Sequence, residues 1–310
     1  MRWYVKWGLL TFGVVATILM VRLFLFTSYY IPSKGMENTL LQGDRIIASK
    51  WSYGYRVPFI SAQDPYRISH SKLKAGKLVL FNNPADKKTD KIEDRELFIG
   101  RFAGLAGDTI IVDNEFNIHP KEAYFNPDQK IIYKYRRADK GVVDSLVAKL
   151  RLDIEPALGE DSLYCFQSFS HYEHYLITSA PHLENLIEPS STTYTSLHQL
   201  VIPSKGVTSK VEDWNKALLC NTILLHEKRE AYVKDGLLYI DGVATDEYTF
   251  TQDYYWIIAN NSMNIIDSRV FGFVPHNHIV AKPIFIWLST KPGSSLFTGY
   301  RWNRIFKTLN

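Results

Sequence analysis

After an apolar amino terminus, the apolar residues of this sequence fall in short runs separated by Gly, Pro, Asn and Asp. The run 237–240 lies between Asp235-Gly236 and Asp241-Gly242, and Asp-Gly supplies the positive φ angles that a tight hairpin turn needs. Helical periodicity is scarce, and its best candidate is 209–219 with Ser209 as N-cap. The fold class is therefore predicted to be mainly β, with strands in the β-branched and aromatic runs 45–48, 77–81, 109–112, 237–240 and 254–258.

The amino terminus carries an apolar segment that is long enough to cross a membrane. Uncharged residues run over 7–21 and apolar character resumes through Phe26, about 20 residues in all. Arg2 and Lys6 precede the segment, which favours a cytoplasmic amino terminus. A cleaved signal peptide is the alternative, but the residues after the segment make a poor cleavage site. The sequence predicts that residues 1–30 are a cytoplasmic tip and a single transmembrane helix in the lipid bilayer of a bacterial plasma membrane, with the bulk of the chain on the periplasmic side.

The charge of the chain and its cysteine and histidine content argue against several classes of function. The net charge is only +4 and no dense Lys/Arg stripe appears, so nucleic-acid binding is not expected. The cysteines Cys165 and Cys220 form no metal pattern, and either a disulfide or two buried thiols is compatible with them. Two histidine pairs lack a convincing third ligand and are predicted to be solvated surface residues, namely His171 with His174 and His276 with His278. Neither a metal site nor a cofactor is predicted.

Directly after the apolar segment, residues 31–46 read Ile-Pro-Ser-Lys-Gly-Met-Glu-Asn-Thr-Leu-Leu-Gln-Gly-Asp-Arg-Ile. Three further boxes follow at 75–84, 98–109 and 259–275. In order and spacing, the four boxes resemble the nucleophile box, the groove-flanking strand, the lysine box and the closing box of the bacterial signal peptidase I family. The resemblance covers roughly half of the chain. It implies a signal peptidase I-like β fold built from residues 31–113 and 232–310. The middle, 114–231, is polar and mixed in pattern, and we expect it to be an inserted subdomain.

The same resemblance implies that a serine–lysine dyad cleaves signal peptides in this family of serine endopeptidases. The serine position is Gly35 here, and the lysine position is Gly100. A desolvated lysine can deprotonate a serine hydroxyl, whereas glycine has neither group. The position of the serine that orients the lysine is Ile265. We therefore expect an inactive paralogue that keeps residues which shape its backbone, among them Asp267, Arg269 and Gly272.

The resemblance also implies a groove for extended peptides. Its expected lining is Ser33, Gly35, Met36, Leu78 and Leu80, with Ser33 in a position of oxyanion-hole type. The expected partners are signal-peptide-like segments of preproteins or an active signal peptidase, bound without cleavage. Two alternatives stay open: an active endopeptidase with a displaced nucleophile such as Ser33, and a structural protein of the cell envelope.

Overall fold

The computed structural model describes residues 2–56, 67–68, 73–119, 126–152, 154, 156–179, 182–190, 196–261, 266–295 and 298–309. Two compact units are present. The first unit comprises Met1–Ser33, Leu41–Ile99 and Asn277–Asn310, and the second comprises Lys34–Leu40 and Gly100–His276.

Strands make up more of the described chain than helices, as the sequence predicts. The helices are α1 (Arg2–Phe24), α2 (Lys140–Lys149), α3 (His171–Thr178), α4 (Lys216–His226) and α5 (Ser268–Phe271). The strands are β1 (Phe26–Tyr30), β2 (Asp44–Ser49), β3 (Tyr55–Arg56), β4 (Arg67–Ile68), β5 (Leu78–Asn82), β6 (Leu97–Gly104), β7 (Thr109–Val112), β8 (Ile118–His119), β9 (Lys130–Arg136), β10 (Gly159–Glu160), β11 (Tyr164–Ser170), β12 (Glu188–Pro189), β13 (His198–Val201), β14 (Thr208–Lys210), β15 (Ala231–Lys234), β16 (Leu237–Ile240), β17 (Val243–Thr245), β18 (Glu247–Thr249), β19 (Tyr254–Ile258), β20 (Val274–Pro275) and β21 (Ile279–Ser289). The five strands predicted from the sequence are confirmed to within one residue at each end.

The amino-terminal apolar run forms helix α1, and large apolar side chains along it, such as Trp7, Phe12 and Ile18, are exposed. The predicted anchor segment extends too far, because residues 26–30 form strand β1 and pair in register with β2. In the part of the chain that the structure describes, no helix combines the length and the apolar character that crossing a membrane requires. The structure therefore does not support the predicted single transmembrane helix.

In the first unit, four antiparallel strands lie in the order β1-β2-β21-β5. Every residue of β5 is buried, as expected for the uninterrupted apolar run Leu-Val-Leu-Phe.

A buried ion pair closes the end of the first box onto the carboxyl-terminal part of the chain. Asp44 is fully buried, and its carboxylate accepts from Arg304 Nη2 and from Ser289 Oγ, each at 2.6 Å. The preceding Gly43 has a φ of +96°, and a Cβ there would lie 1.9 Å from the carbonyl oxygen of Thr290. The Gly-Asp sequence thus combines a backbone conformation that favours glycine with a carboxylate whose charge is compensated.

In the second unit, β19 pairs with β6 and β20, and a three-stranded sheet is formed by β15, β16 and β17. Asp235 and Gly236 have φ angles of 51° and 76°, which confirms the predicted hairpin turn. The predicted helix over 209–219 is wrong in its first half. Ser209 pairs with Tyr248 of β18, and α4 begins only at Lys216, because strand pairing takes up the backbone groups that a helical turn would need.

The middle segment of the chain, which we define as the described residues of 126–190, has a small core of its own. Strands β9 to β12 form one antiparallel sheet in this segment, which also contains α2 and α3. The buried residues of this core are Tyr133, Tyr135, Val143, Cys165, Phe169, Ile177 and Ile187. Cys165 and Cys220 are both buried and not joined in a disulfide, so the chain has two separate thiols.

We predict that Arg304→Met destabilises the protein by about 3–5 kcal/mol, because the Asp44 carboxylate would stay buried without its cation. The measurement is urea denaturation of the full chain in detergent. The matched control is Arg229→Met, which removes an ion pair whose two side chains are 58% and 44% exposed and which changes stability by no more than about 1 kcal/mol. Equal effects of the two substitutions would contradict the prediction.

Candidate functional site

The nucleophile-box loop, defined here as residues 34–40, is a tight turn held by two buried side chains. Met36 and Leu40 are 1% and 0% exposed, so both are fixed in the core. The backbone closes on itself through hydrogen bonds from Glu37 N to Lys34 O (3.1 Å) and from Leu40 N to Met36 O (2.7 Å). Gly35 therefore lies at the start of a rigidly anchored turn.

Asn260 joins this loop to the closing box. Its Nδ2 donates to Glu37 O at 2.9 Å and to Thr39 Oγ1 at 2.8 Å, and the residue is completely buried. The next residue, Asn261, donates its N–H to Gly35 O at 3.0 Å. The start of the closing box is thus bonded directly to the loop that carries Gly35, the predicted serine position.

At Gly100, the predicted lysine position, packing leaves no space for a side chain. A Cβ on Gly100 would lie 2.6 Å from Ile257 Cγ2 and 2.9 Å from the carbonyl oxygen of Ile258. Both neighbours belong to β19, and β6 pairs with that strand at Phe102 and Arg101. Because one of the two contacts is with backbone, rearrangement of a side chain cannot make enough room. Gly100 is therefore a site of close strand approach, where a lysine side chain does not fit.

Polar groups beside the two glycines are bonded to one another. Thr39 Oγ1 donates to Asp128 Oδ2 at 2.5 Å, and it accepts from Arg101 Nη2 at 2.8 Å as well as from Asn260. Asp128 also lies 3.5 Å from Arg101 Nη2. The Thr39 hydroxyl therefore has one acceptor and two donors around it, an arrangement that is typical of a structural hydroxyl.

A buried ionic cluster lies against the other side of the loop. Lys130 is 1% exposed, and its Nζ lies 3.0 Å from Glu37 Oε2 and 3.8 Å from Glu173 Oε1. Burial and the charge of Glu173 raise the pKa of Tyr133, on the same strand as Lys130, to about 12. Sequence reasoning missed this cluster, because Lys130 and Glu173 lie in the middle segment, where no pattern singles them out.

The backbone-shaping residues of the closing box are also in contact. The Asp267 carboxylate accepts from Arg269 Nη2 at 2.6 Å and from Ala259 N at 2.8 Å. Asp267 also caps α5 by accepting from the backbone N–H of Arg269. Gly272 has a φ of +85°, and a Cβ there would meet Leu218 Cδ1 at 2.8 Å.

The residues predicted to line a groove differ in exposure. Ser33 is exposed, whereas Leu78 and Leu80 are each 2% exposed and pack into the core of the first unit. Gly35 is half-buried, and Met36 is buried. Ile265, the predicted counterpart of the orienting serine, lies outside the described residues. The groove itself stays a prediction.

The histidine prediction is wrong for His278, which is 2% exposed. Its ring is enclosed because Nε2 lies 3.1 Å from Arg95 Nη1 and Nδ1 lies 2.7 Å from Asn277 Oδ1. His174 is half-buried and stacks on Tyr133 at a ring distance of 4.7 Å. These contacts give both rings structural roles.

Comparison with known proteins gives one family and several relatives. The family described as "Signal peptidase, peptidase S26" matches residues 4–155. A protein called "Signal peptidase I" from Buchnera aphidicola subsp. Acyrthosiphon pisum is 24% identical over 95% of this chain and 78% of its own length. A "Signal peptidase I" from Helicobacter pylori J99 is 22% identical over 96% and 90%, respectively. A "Signal peptidase I" from Haemophilus influenzae is 23% identical over 96% of this chain and 74% of its own length.

We predict that Gly100→Ala destabilises the protein by about 1–3 kcal/mol, because the new Cβ overpacks against β19. The matched control is Gly141→Ala on α2, where a Cβ meets nothing within 4 Å and stability is unchanged or rises by up to about 1 kcal/mol. Denaturant midpoints of the two variants provide the measurement. A Gly100→Ala protein as stable as the parent would contradict the prediction and show that β19 can shift to accommodate a Cβ without loss of stability.

Proposed function

The chain belongs to the signal peptidase I family, and from this premise we propose that it binds signal-peptide-like segments without cleaving them. The observation that carries the proposal is the packing at Gly100. The dyad lysine is absent there, and the space that its side chain needs is taken by Ile257 and by the backbone of Ile258. A change at Gly35 alone would therefore not recreate a serine–lysine pair.

The chemistry of the loop supports loss of hydrolysis. In a comparable serine protease, loss of the nucleophile alone lowers turnover by about 10⁶-fold. The hydroxyl of Thr39 does not offer a simple substitute, because it donates to Asp128 and accepts from two further groups. A nucleophilic hydroxyl needs a base that takes its proton and a free line of attack.

Binding of an extended peptide does not require the dyad. Such a peptide is held by backbone hydrogen bonds to a strand and by pockets for alternate side chains. The relatives that match nearly the whole of this chain are called signal peptidase I, and this name supports signal-peptide-like segments as the class of ligand.

We also propose that α1 attaches the chain to a bacterial plasma membrane. Its exposed apolar side chains support attachment, and Trp3, Tyr4 and Trp7 lie near its amino-terminal end, where aromatic rings favour a lipid–water boundary.

A peptide test uses a signal-peptide analogue with a photoreactive side chain next to its cleavage position. We expect crosslinks to the nucleophile-box region and recovery of intact peptide, whereas a scrambled peptide of equal composition does not crosslink. Absence of crosslinks would contradict binding and favour a structural role in the cell envelope. Cleavage of the peptide would contradict the loss of activity.

A labelling test separates binding from catalysis by a displaced nucleophile. We expect a serine-directed fluorophosphonate to leave the parent protein unlabelled. We also expect the double variant Gly35→Ser with Gly100→Lys to remain inactive, because the introduced lysine side chain clashes with β19. An active signal peptidase of known sequence serves as the positive control. Stoichiometric labelling of Ser33 in the parent would overturn the proposal in favour of an endopeptidase.

A membrane test compares retention of the full chain in the membrane fraction after an alkaline wash. We expect Leu10→Lys with Ile18→Lys to lower retention strongly, because both side chains are exposed on α1 and a charge there opposes burial in lipid. The control is Val243→Lys, which adds a charge at a side chain that is 68% exposed on β17. Equal retention of all three proteins would contradict attachment through α1.

A further inference from the structure

The structure assigns a positioning role to Lys130: we propose that its two ion pairs set the conformation of the nucleophile-box loop and couple that loop to the middle segment. Nζ lies 3.0 Å from Glu37 Oε2, within the loop, and 3.8 Å from Glu173 Oε1, on α3. A buried ammonium persists only with such partners. The role goes beyond peptide binding, because it concerns the ligand-free protein.

Lys130 is itself held in place by its backbone. Its N–H donates to Asn260 O at 2.7 Å, and Asn126 Nδ2 donates to Asn260 Oδ1 at 2.8 Å. Asn260 in turn donates to Glu37 O. The backbone of Lys130 and its ammonium therefore reach the same loop by two routes, one through Asn260 and one through the Glu37 carboxylate.

The second carboxylate is equally fixed. Glu173 belongs to a capping box at the start of α3, in which its Oε2 accepts from Ser170 N at 2.7 Å and its N–H donates to Ser170 Oγ at 3.2 Å. This bond orients Oε1 toward Lys130 and restricts the rotamer of the glutamate. Lys130 thus connects the loop to the start of α3 through a carboxylate that the capping box holds in place.

Removal of the ammonium has a defined consequence for the loop. Glu37 and Glu173, which are 7% and 5% exposed, would both lose the ammonium beside them. We expect the loop to swing outward in response and to bring Glu37 toward solvent. Outward movement would break the bonds from Glu37 N to Lys34 O and from Leu40 N to Met36 O. These two amides therefore report directly on the proposed role.

The experiment measures residue-resolved hydrogen exchange of the full ligand-free chain in detergent. In Lys130→Met we expect the amides of Glu37 and Leu40 to exchange roughly 200- to 5,000-fold faster, the range that loss of a buried ion partner implies. The amides of the β15–β16 hairpin should not change, and Lys130→Arg should restore slow exchange. The matched control is Lys134→Met, on the same strand, whose Nζ lies 5.4 Å from the centre of the Tyr164 ring. Equal acceleration in the hairpin, or in Lys134→Met, would reduce Lys130 to a general stabiliser and overturn the proposal.

A double-mutant cycle gives a second readout. If Lys130 acts on the loop through Glu37, then Lys130→Met should add little in a Glu37→Gln background, whereas additive effects would overturn the proposal. If Lys130→Met does not fold, amide exchange in the loop is compared between Glu37→Gln, which removes the carboxylate charge, and Lys130→Arg, which keeps the cation. The proposal fails if exchange at Leu40 is the same in Glu37→Gln as in the parent. Because no peptide is present, these outcomes are independent of whether the chain binds signal peptides.

Discussion

The buried amide of Asn260 is the group on which the candidate site depends. A side-chain amide with no access to solvent must find partners for its donors and its acceptor. Its Nδ2 donates to Glu37 O and to Thr39 Oγ1, and its Oδ1 accepts from Asn126. The backbone carbonyl of Asn260 accepts from the backbone N–H of Lys130. One residue thereby ties together the nucleophile-box loop, the closing box and the middle segment.

Close strand approach at Gly100 is the second constraint, and it is of a different kind. The φ angle of Gly100 is not in the left-handed region, so conformation does not demand glycine there. Lack of space is what requires glycine at this position, because Ile257 and the Ile258 carbonyl occupy the volume that a side chain would need. Gly43 and Gly272 differ from it, since both have positive φ angles as well as close neighbours.

The sequence predicted the features that follow from local pattern. Short apolar runs located the strands, and Asp235-Gly236 located a hairpin, because alternation and turn chemistry are properties of a few adjacent residues. The helix starting at Ser209 was wrong, since pairing with β18 depends on residues nearly 40 positions away. Lys130 and Glu173 were missed for the same reason: their meaning arises only where the fold brings them to Glu37.

These two constraints act on both positions at which the family resemblance places the dyad, Gly35 and Gly100. β19 packs so closely on Gly100 that a side chain there would meet Ile257 and the Ile258 carbonyl. Asn260 and Lys130 hold the loop, and two polar residues near Gly35, Glu37 and Thr39, are bonded to them. Position 100 carries no charge, and the buried cation beside the loop is Lys130, in a part of the chain that lies outside the four boxes. The polar residues of the candidate site are therefore engaged in bonds that stabilise the second unit.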